Sequence, residues 1–219
     1  MSEIKNNNTQ YTTVQSIKIL FQGDSITEAY RVHSCSDDLG KGYVLHLTQM
    51  LNTQFSEKHF TFLNRGVGGD KVTDLKNRWQ KDCLDLKPDL ISILIGINDV
   101  VGRYFWSKPT PSANFENDYR ILLEQINDNL DAKIVLLTPF MDFKTSNVLT
   151  HKIFLKQKIN TVKKLSREFN TTLIPLDELF KKVITKSEPN IWSTDGVHPT
   201  TKGHRLIAQS WIDTVKLHI

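Results

Sequence analysis

Ile17-Lys18-Ile19-Leu20-Phe21-Gln22-Gly23-Asp24-Ser25-Ile26-Thr27 carries the first strong strand signal of the chain and ends it abruptly. The apolar run to Phe21 reads as a buried strand, and Gly23-Asp24-Ser25 must stop it. A parallel strand that stops there delivers a hydroxyl to the carboxyl end of a sheet, where open α/β folds place their sites. Ser25 is therefore a candidate nucleophile. The same residues also suit an ordinary strand-to-helix turn, in which Gly23 relaxes the backbone and Asp24 or Ser25 caps the next helix.

Outward from this stretch, strand and helix patterns alternate along the chain. Strands are expected at residues 60–63, in the unbroken run Asp89-Leu90-Ile91-Ser92-Ile93-Leu94-Ile95-Gly96, at 133–138 and at 172–176. The Asp89 to Gly96 run lacks alternation, as a strand covered on both faces should, and is placed at the centre of the sheet. Between the strands, helical spacing links Val44, Leu47 and Leu51, then Val72, Leu75, Trp79, Cys83 and Leu86, with Pro88 closing that helix. It recurs in Phe115, Tyr119, Leu122, Ile126 and Leu130, in Leu155, Ile159, Val162, Leu165 and Phe169, and in Leu206, Ile207, Trp211 and Val215. Five apolar strands separated by helices give an α/β fold, a five-stranded parallel sheet in a three-layer αβα sandwich. Right-handed crossovers leave flavodoxin-like and Rossmann-like windings open.

Composition narrows the function. With 219 residues the chain suits one domain, here residues 16–219 after a loose, asparagine-rich tail at 1–15 that has no apolar leader core. The net charge is only +4 and its lysines and arginines are scattered, so nucleic acid is not an expected partner. The longest apolar run reaches about half the length that crosses a bilayer, so no membrane span is expected. Two cysteines, Cys35 and Cys83, form no metal-ligand spacing, and Cys83 falls on a helix's apolar face. A reduced, cytoplasmic location is the expectation, with no metal and no cofactor.

Three more stretches stand at strand ends. Asn64-Arg65-Gly66-Val67-Gly68-Gly69-Asp70 lacks the endings of a P-loop or dinucleotide fingerprint, and its glycines are suited to presenting backbone N–H groups to an oxyanion. Gly96-Ile97-Asn98-Asp99 is either an Asx-type turn or the source of a side-chain N–H for that oxyanion. Near the C-terminus, Trp192-Ser193-Thr194-Asp195-Gly196-Val197-His198-Pro199 places a carboxylate three residues before a histidine, and Pro199 keeps His198 out of a helix. Asp195 can then hold one imidazole nitrogen and leave the other for Ser25. The loop at 100–111 groups Arg103, Tyr104, Phe105 and Trp106, suited to a sugar-stacking or acyl-enclosing wall and equally to a contact in a homo-oligomer.

Taken in order, Gly-Asp-Ser, the glycine loop, Gly-x-Asn-Asp and Asp-x-x-His resemble the SGNH (GDSL-type) hydrolase superfamily from about Ile17 to the C-terminal helix. The resemblance implies a flavodoxin-like SGNH fold. It makes Ser25 the nucleophile, His198 the base, Asp195 its orienter, and Ser25, Gly69 and Asn98 the oxyanion donors. Gly40-Lys41-Gly42-Tyr43-Val44, Asp74-Leu75-Lys76-Asn77-Arg78-Trp79 and Asp195-Gly196-Val197-His198-Pro199 are most similar to the bacterial acetylxylan-esterase branch, from which the chain departs at Val101-Gly102-Arg103 and in the loop at residues 28–39. The expected reaction is hydrolysis of a small acyl ester, acetyl on a carbohydrate such as a xylo-oligosaccharide, without cofactor. Asp24, Arg103, Tyr104, Trp106 and Trp192 are the candidate substrate contacts. A general short-chain carboxylesterase, lipase or thioesterase is the second reading, and a catalytically silent flavodoxin-like binding module the third.

Overall fold

The computed structural model describes residues 16–102, 108–144, 149–188 and 190–215; the tail expected at 1–15 lies outside them. Five parallel strands, β1 (Ile17–Gly23), β2 (Phe60–Gly66), β3 (Leu90–Leu94), β4 (Lys133–Leu137) and β5 (Thr172–Ile174), pair in the order β2-β1-β3-β4-β5. This is the flavodoxin-like winding. The chain leaves β1 towards β2 and then returns past β1 to form β3, so the crevice for a ligand opens above the carboxyl ends of β1 and β3.

Helices α1 (Ser25–Glu28), α2 (Tyr43–Gln54), α3 (Val72–Asp82), α4 (Asn98–Val101), α5 (Ser112–Asn129), α6 (Leu149–Glu168), α7 (Leu176–Thr185) and α8 (Thr201–Thr214) complete the layers. Strand alternation divides the core in two. Ile19 and Phe21 turn to one face, where α2 and α8 supply Tyr43, Leu47 and Trp211; Leu20, Ile91 and Ile93 turn to the other, against Trp79, Phe115 and Tyr119 of α3 and α5. All five residues of β3 are buried, which is why its sequence shows no alternation. The one polar member, Ser92, accepts a hydrogen bond from the Trp211 indole at 3.1 Å, and the Trp211 ring lies against Phe21 at 6.2 Å between centroids.

Elements depart from the sequence expectation in several places; β2 runs on to Gly66 rather than ending at 63, and β3 is confined to Leu90–Leu94. The helix expected to run to Pro88 ends at Asp82, where Cys83 leaves helical geometry at φ −134°, and a 3-10 turn, Leu84–Leu86, follows until Lys87 closes it by turning left-handed at φ +46°. Cys83, between them, is buried as expected, and burial pushes its thiol up to about 12. β5 stops at Ile174 rather than 176, since Pro175 has no N–H for the ladder. The following helix α7, with Leu176, Phe180 and Ile184 buried at four-residue intervals, was not anticipated. No helix among the described residues is long and apolar enough to cross a membrane.

Trp211 joins β1, β3 and α8 through one fully buried side chain. Trp211→Ala should lower the unfolding free energy by about 3–5 kcal/mol in urea titrations followed by circular dichroism.

Candidate active site

The turn after β1 is set by space. A Cβ on Gly23 would lie 2.3 Å from Thr27 Oγ1 and 2.4 Å from the Leu94 carbonyl, so only glycine lets the end of β1 approach β3 this closely. Asp24 then caps α1, accepting from the Ile26 N–H at 3.0 Å, and Ser25 becomes the first residue of that helix. The two readings of this stretch are thus both present in one geometry: the cap is Asp24, and the serine it positions points elsewhere. Asp24 is almost fully buried, below the turn.

Ser25 Oγ lies 2.9 Å from His198 Nε2, and His198 Nδ1 lies 2.6 Å from Asp195 Oδ2. A carboxylate only accepts, so Nδ1 carries the hydrogen, and Nε2 of the neutral ring accepts from the serine hydroxyl. The other Asp195 oxygen accepts from the backbone N–H groups of Val197 (2.9 Å) and His198 (2.7 Å). Partial burial works against the Asp195 charge, but the hydrogen bonds from His198 and Val197 outweigh it and hold the carboxyl below its ordinary range. Pro199 keeps the segment extended before α8, while a short bridge from Ser193 to Pro199 and a bond from Asp142 N–H to the Gly196 carbonyl (2.8 Å) fasten the loop.

The glycine loop lies beside the serine. A Cβ on Gly68 would stand 3.8 Å from Ser25 Cβ, and Gly69 adopts φ +82°. Arg78 of α3 holds this loop to β1, donating to Asp70 Oδ2 (2.9 Å) and Gln22 Oε1 (3.1 Å). Asn64 of β2 works from the other side: its amide donates to the carbonyls of Thr27 (2.7 Å) and Leu39 (2.9 Å) and accepts from Gly66 N–H (2.9 Å). Asn98, first residue of α4 and nearly buried, donates one N–H to the Asp70 carbonyl at 3.1 Å. That bond orients the amide nitrogen towards the glycine loop. Next to it, Asp99 accepts from Val72 N–H at 3.1 Å, and burial pushes it up to about 6.

Ser25 and His198 open into a cavity of about 500 Å³ whose walls include Glu28, Tyr30, Thr194 and His204. Glu28, Tyr30 and His204 were not among the sequence candidates. His204 accepts from Tyr43 N–H at 3.1 Å, and burial, with His46 and His198 adding to it, lowers its pKa to about 4, so it stays uncharged near neutrality. Trp192 packs on the core, donates its indole N–H to Ser187 Oγ at 2.8 Å and does not line this cavity. Arg103, Tyr104 and Trp106 lie outside the described residues.

The GDSL-like Lipase/Acylhydrolase family profile matches residues 21–206. An acetylxylan esterase of Geobacillus stearothermophilus is 30% identical over 202 residues, covering 89% of this chain and 92% of its own length. The crystal structure of Axe2, an acetylxylan esterase of that organism, agrees with a TM-score of 0.83 at 30% identity over 92% of this chain and 95% of its own. A structure described as a GDSL-like lipase, from Parabacteroides merdae, agrees with a TM-score of 0.86 at 34% identity over 91% and 95%. Three Axe2 variants described as catalytic mutants replace a serine, an aspartate and a histidine, the last two separated as Asp195 and His198 are here.

Burial raises Asp24 to about 7, with Asp99 and Asp70 adding to it. Between an unfolded value near 4 and this folded value the native state holds the extra proton, so the stabilising share of the neutral carboxyl is complete below the lower value and lost as pH rises through about 7. Asp24→Asn, which keeps the cap acceptor and cannot ionise, should gain stability relative to the parent by roughly 2 kcal/mol between pH 5 and pH 8 in urea titrations. A pH-independent difference would show that Asp24 titrates normally.

Proposed function

The chain belongs to the GDSL-like lipase/acylhydrolase family of carboxylic ester hydrolases, and from that premise we propose that it removes acetyl groups from short carbohydrate chains of the xylo-oligosaccharide type by a Ser25–His198–Asp195 mechanism. The observation that carries the mechanism is the 2.9 Å contact from Ser25 Oγ to a histidine already committed to Asp195, at the crevice between β1 and β3. The similarity to acetylxylan esterases over nine-tenths of both chains supports the substrate.

In this mechanism the ester carbonyl enters beside Ser25. His198 Nε2 takes the hydroxyl proton as Oγ attacks, and the imidazolium that forms is stabilised by Asp195, which also fixes the tautomer. The carbonyl oxygen becomes an oxyanion facing the glycine loop. Ser25 N–H, Gly69 N–H and the second N–H of Asn98 are the donors assigned to it, and their fixed positions supply stabilisation without reorganisation. His198 then gives its proton to the leaving sugar oxygen, leaving an acetyl-serine. Water enters, His198 takes its proton, and the same donors stabilise the second tetrahedral intermediate before acetate departs. The cycle returns Ser25 and His198 to their starting protonation.

Acetate release from acetylated xylo-oligosaccharides and from 4-nitrophenyl esters of increasing acyl length tests the reading. Serine-dependent release from the sugar, with acetyl preferred among aryl esters, is expected; a preference for medium-chain esters without sugar turnover would overturn the substrate. Ser25→Ala and His198→Ala should each lower kcat by roughly 10⁴-fold or more with the circular dichroism spectrum retained. Asn98→Ala should cost about 10²–10³-fold in kcat with little change in KM, as loss of one oxyanion donor does. A change confined to KM would remove Asn98 from the oxyanion hole.

A further inference from the structure

We propose that Tyr30 is the platform on which the sugar ring of the substrate stacks, with the neighbouring Glu28 carboxylate accepting hydrogen bonds from that sugar's hydroxyls. This rests on the carbohydrate-ester reading above. Both residues line the cavity that holds Ser25 and His198. Tyr30 is 85% exposed, and among the described residues its ring packs against no other aromatic ring. An isolated exposed aromatic is ordinary on a protein surface. The backbone beneath this one is not.

Tyr30 has φ +64° and follows Ala29 at φ +43°. Two successive left-handed residues with side chains, one of them bulky, occupy a conformation that glycine or asparagine would adopt more readily. The surroundings hold the turn in place. A Cβ on Gly40 would stand 2.3 Å from the Glu28 carbonyl and one on Gly66 would stand 2.3 Å from the Glu28 N–H, so these two backbones close on the turn directly. Lys41 N–H donates to the Ala29 carbonyl at 2.7 Å, Arg31 N–H to the Glu28 carbonyl at 3.0 Å, and the Arg31 side chain to the Gly66 carbonyl at 3.2 Å. A strained residue that is 85% exposed adds almost no burial to the fold, whereas a backbone held in this turn fixes the point at the rim of the cavity from which the Tyr30 side chain projects. Its flat, weakly negative face suits the C–H face of a pyranose.

Glu28 adds direction. One of its oxygens pairs with His33 Nε2, and the other lies 2.7 Å from where a Cβ on Gly68 would be, so the missing side chain of Gly68 leaves the carboxylate room beside the glycine loop. A carboxylate accepts from hydroxyls and repels an anionic substrate, which selects a neutral sugar.

Steady-state kinetics on acetylated xylotetraose and 4-nitrophenyl acetate, with thermal unfolding, for the parent, Tyr30→Asn and Tyr30→Phe test the proposal. For Tyr30→Asn the ratio of sugar to aryl kcat/KM should fall about tenfold, chiefly through a higher sugar KM, while Tm is equal or higher because the strain is relieved. Tyr30→Phe, which keeps the ring, should hold that ratio within about twofold of the parent. An unchanged ratio in Tyr30→Asn with sugar turnover intact overturns the platform alone. A lower Tm with equal losses on both substrates also overturns it, by making Tyr30 structural. If the parent cleaves the aryl ester and no acetylated sugar, the carbohydrate reading fails and the platform with it.

Discussion

The narrow passage at Gly23 is the constraint from which the site follows. With a Leu94 carbonyl 2.4 Å from where a Cβ would stand, β1 can end against β3 only without a side chain, and that contact fixes where Ser25 emerges. The strand order does the rest. Because β1 is flanked by β2 and β3, the loops after all three strands meet above one crevice: Ser25 from the first, the glycine loop from the second, Asn98 from the third. Arg78 and Asn64 then tie the first two of these loops together, Arg78 by donating to Asp70 and the Gly23 carbonyl, Asn64 by donating to the Thr27 carbonyl and accepting from Gly66 N–H.

Three buried carboxylates, Asp24, Asp70 and Asp99, lie under this crevice. Full negative charge on all three would oppose the oxyanion of the proposed mechanism. Arg78 offsets Asp70 through an ion pair at 2.9 Å. Burial raises Asp24 to about 7, which reduces its charge near neutrality, and raises Asp99 to about 6, where it is still largely ionised at neutral pH. Each also performs a structural task that does not need ionisation, Asp24 capping α1 and Asp99 holding the first N–H of α3. Asp24 and Asp99 serve hydrogen-bond geometry, and burial of Asp24 with the Arg78 ion pair to Asp70 limits the charge beneath the crevice.

Much of this was legible in the sequence because the signals are local. The apolar runs of β1, β3 and β4, the strand-ending Gly-Asp-Ser and the Asp195 to His198 spacing each state their own geometry, and the sheet assembles them at one edge. Helix α7 escaped notice although Leu176, Phe180 and Ile184 have helical spacing, since it starts within two residues of a strand that Pro175 cuts short. The cavity wall escaped for a different reason. Glu28 ends α1 and Tyr30 lies in the left-handed turn that follows, on which Gly40 and Gly66 close from elsewhere in the chain, and neither residue type signals such a conformation. Trp192, prominent beside the Asp-x-x-His segment, anchors that segment through Ser187 and the core. An aromatic beside a catalytic motif has two physical uses, and only packing tells them apart.

The two halves of the site are built in different media. Asn98 and the base of the glycine loop are buried, where fixed dipoles act strongly on a developing charge. The side chains of His198 and Asp195 are 46% and 43% exposed. At that exposure their mutual attraction is screened, so the pair contributes orientation more than charge stabilisation. Orientation is what its hydrogen bonds provide: the backbone N–H groups of Val197 and His198 fix one Asp195 oxygen, which leaves the other aimed at Nδ1 and turns Nε2 to the serine. The exposure also has a use. In the proposed mechanism the second half of the reaction requires water to reach the same imidazole nitrogen, and a histidine at the rim meets that need while the donors assigned to the oxyanion sit in the buried part of the crevice.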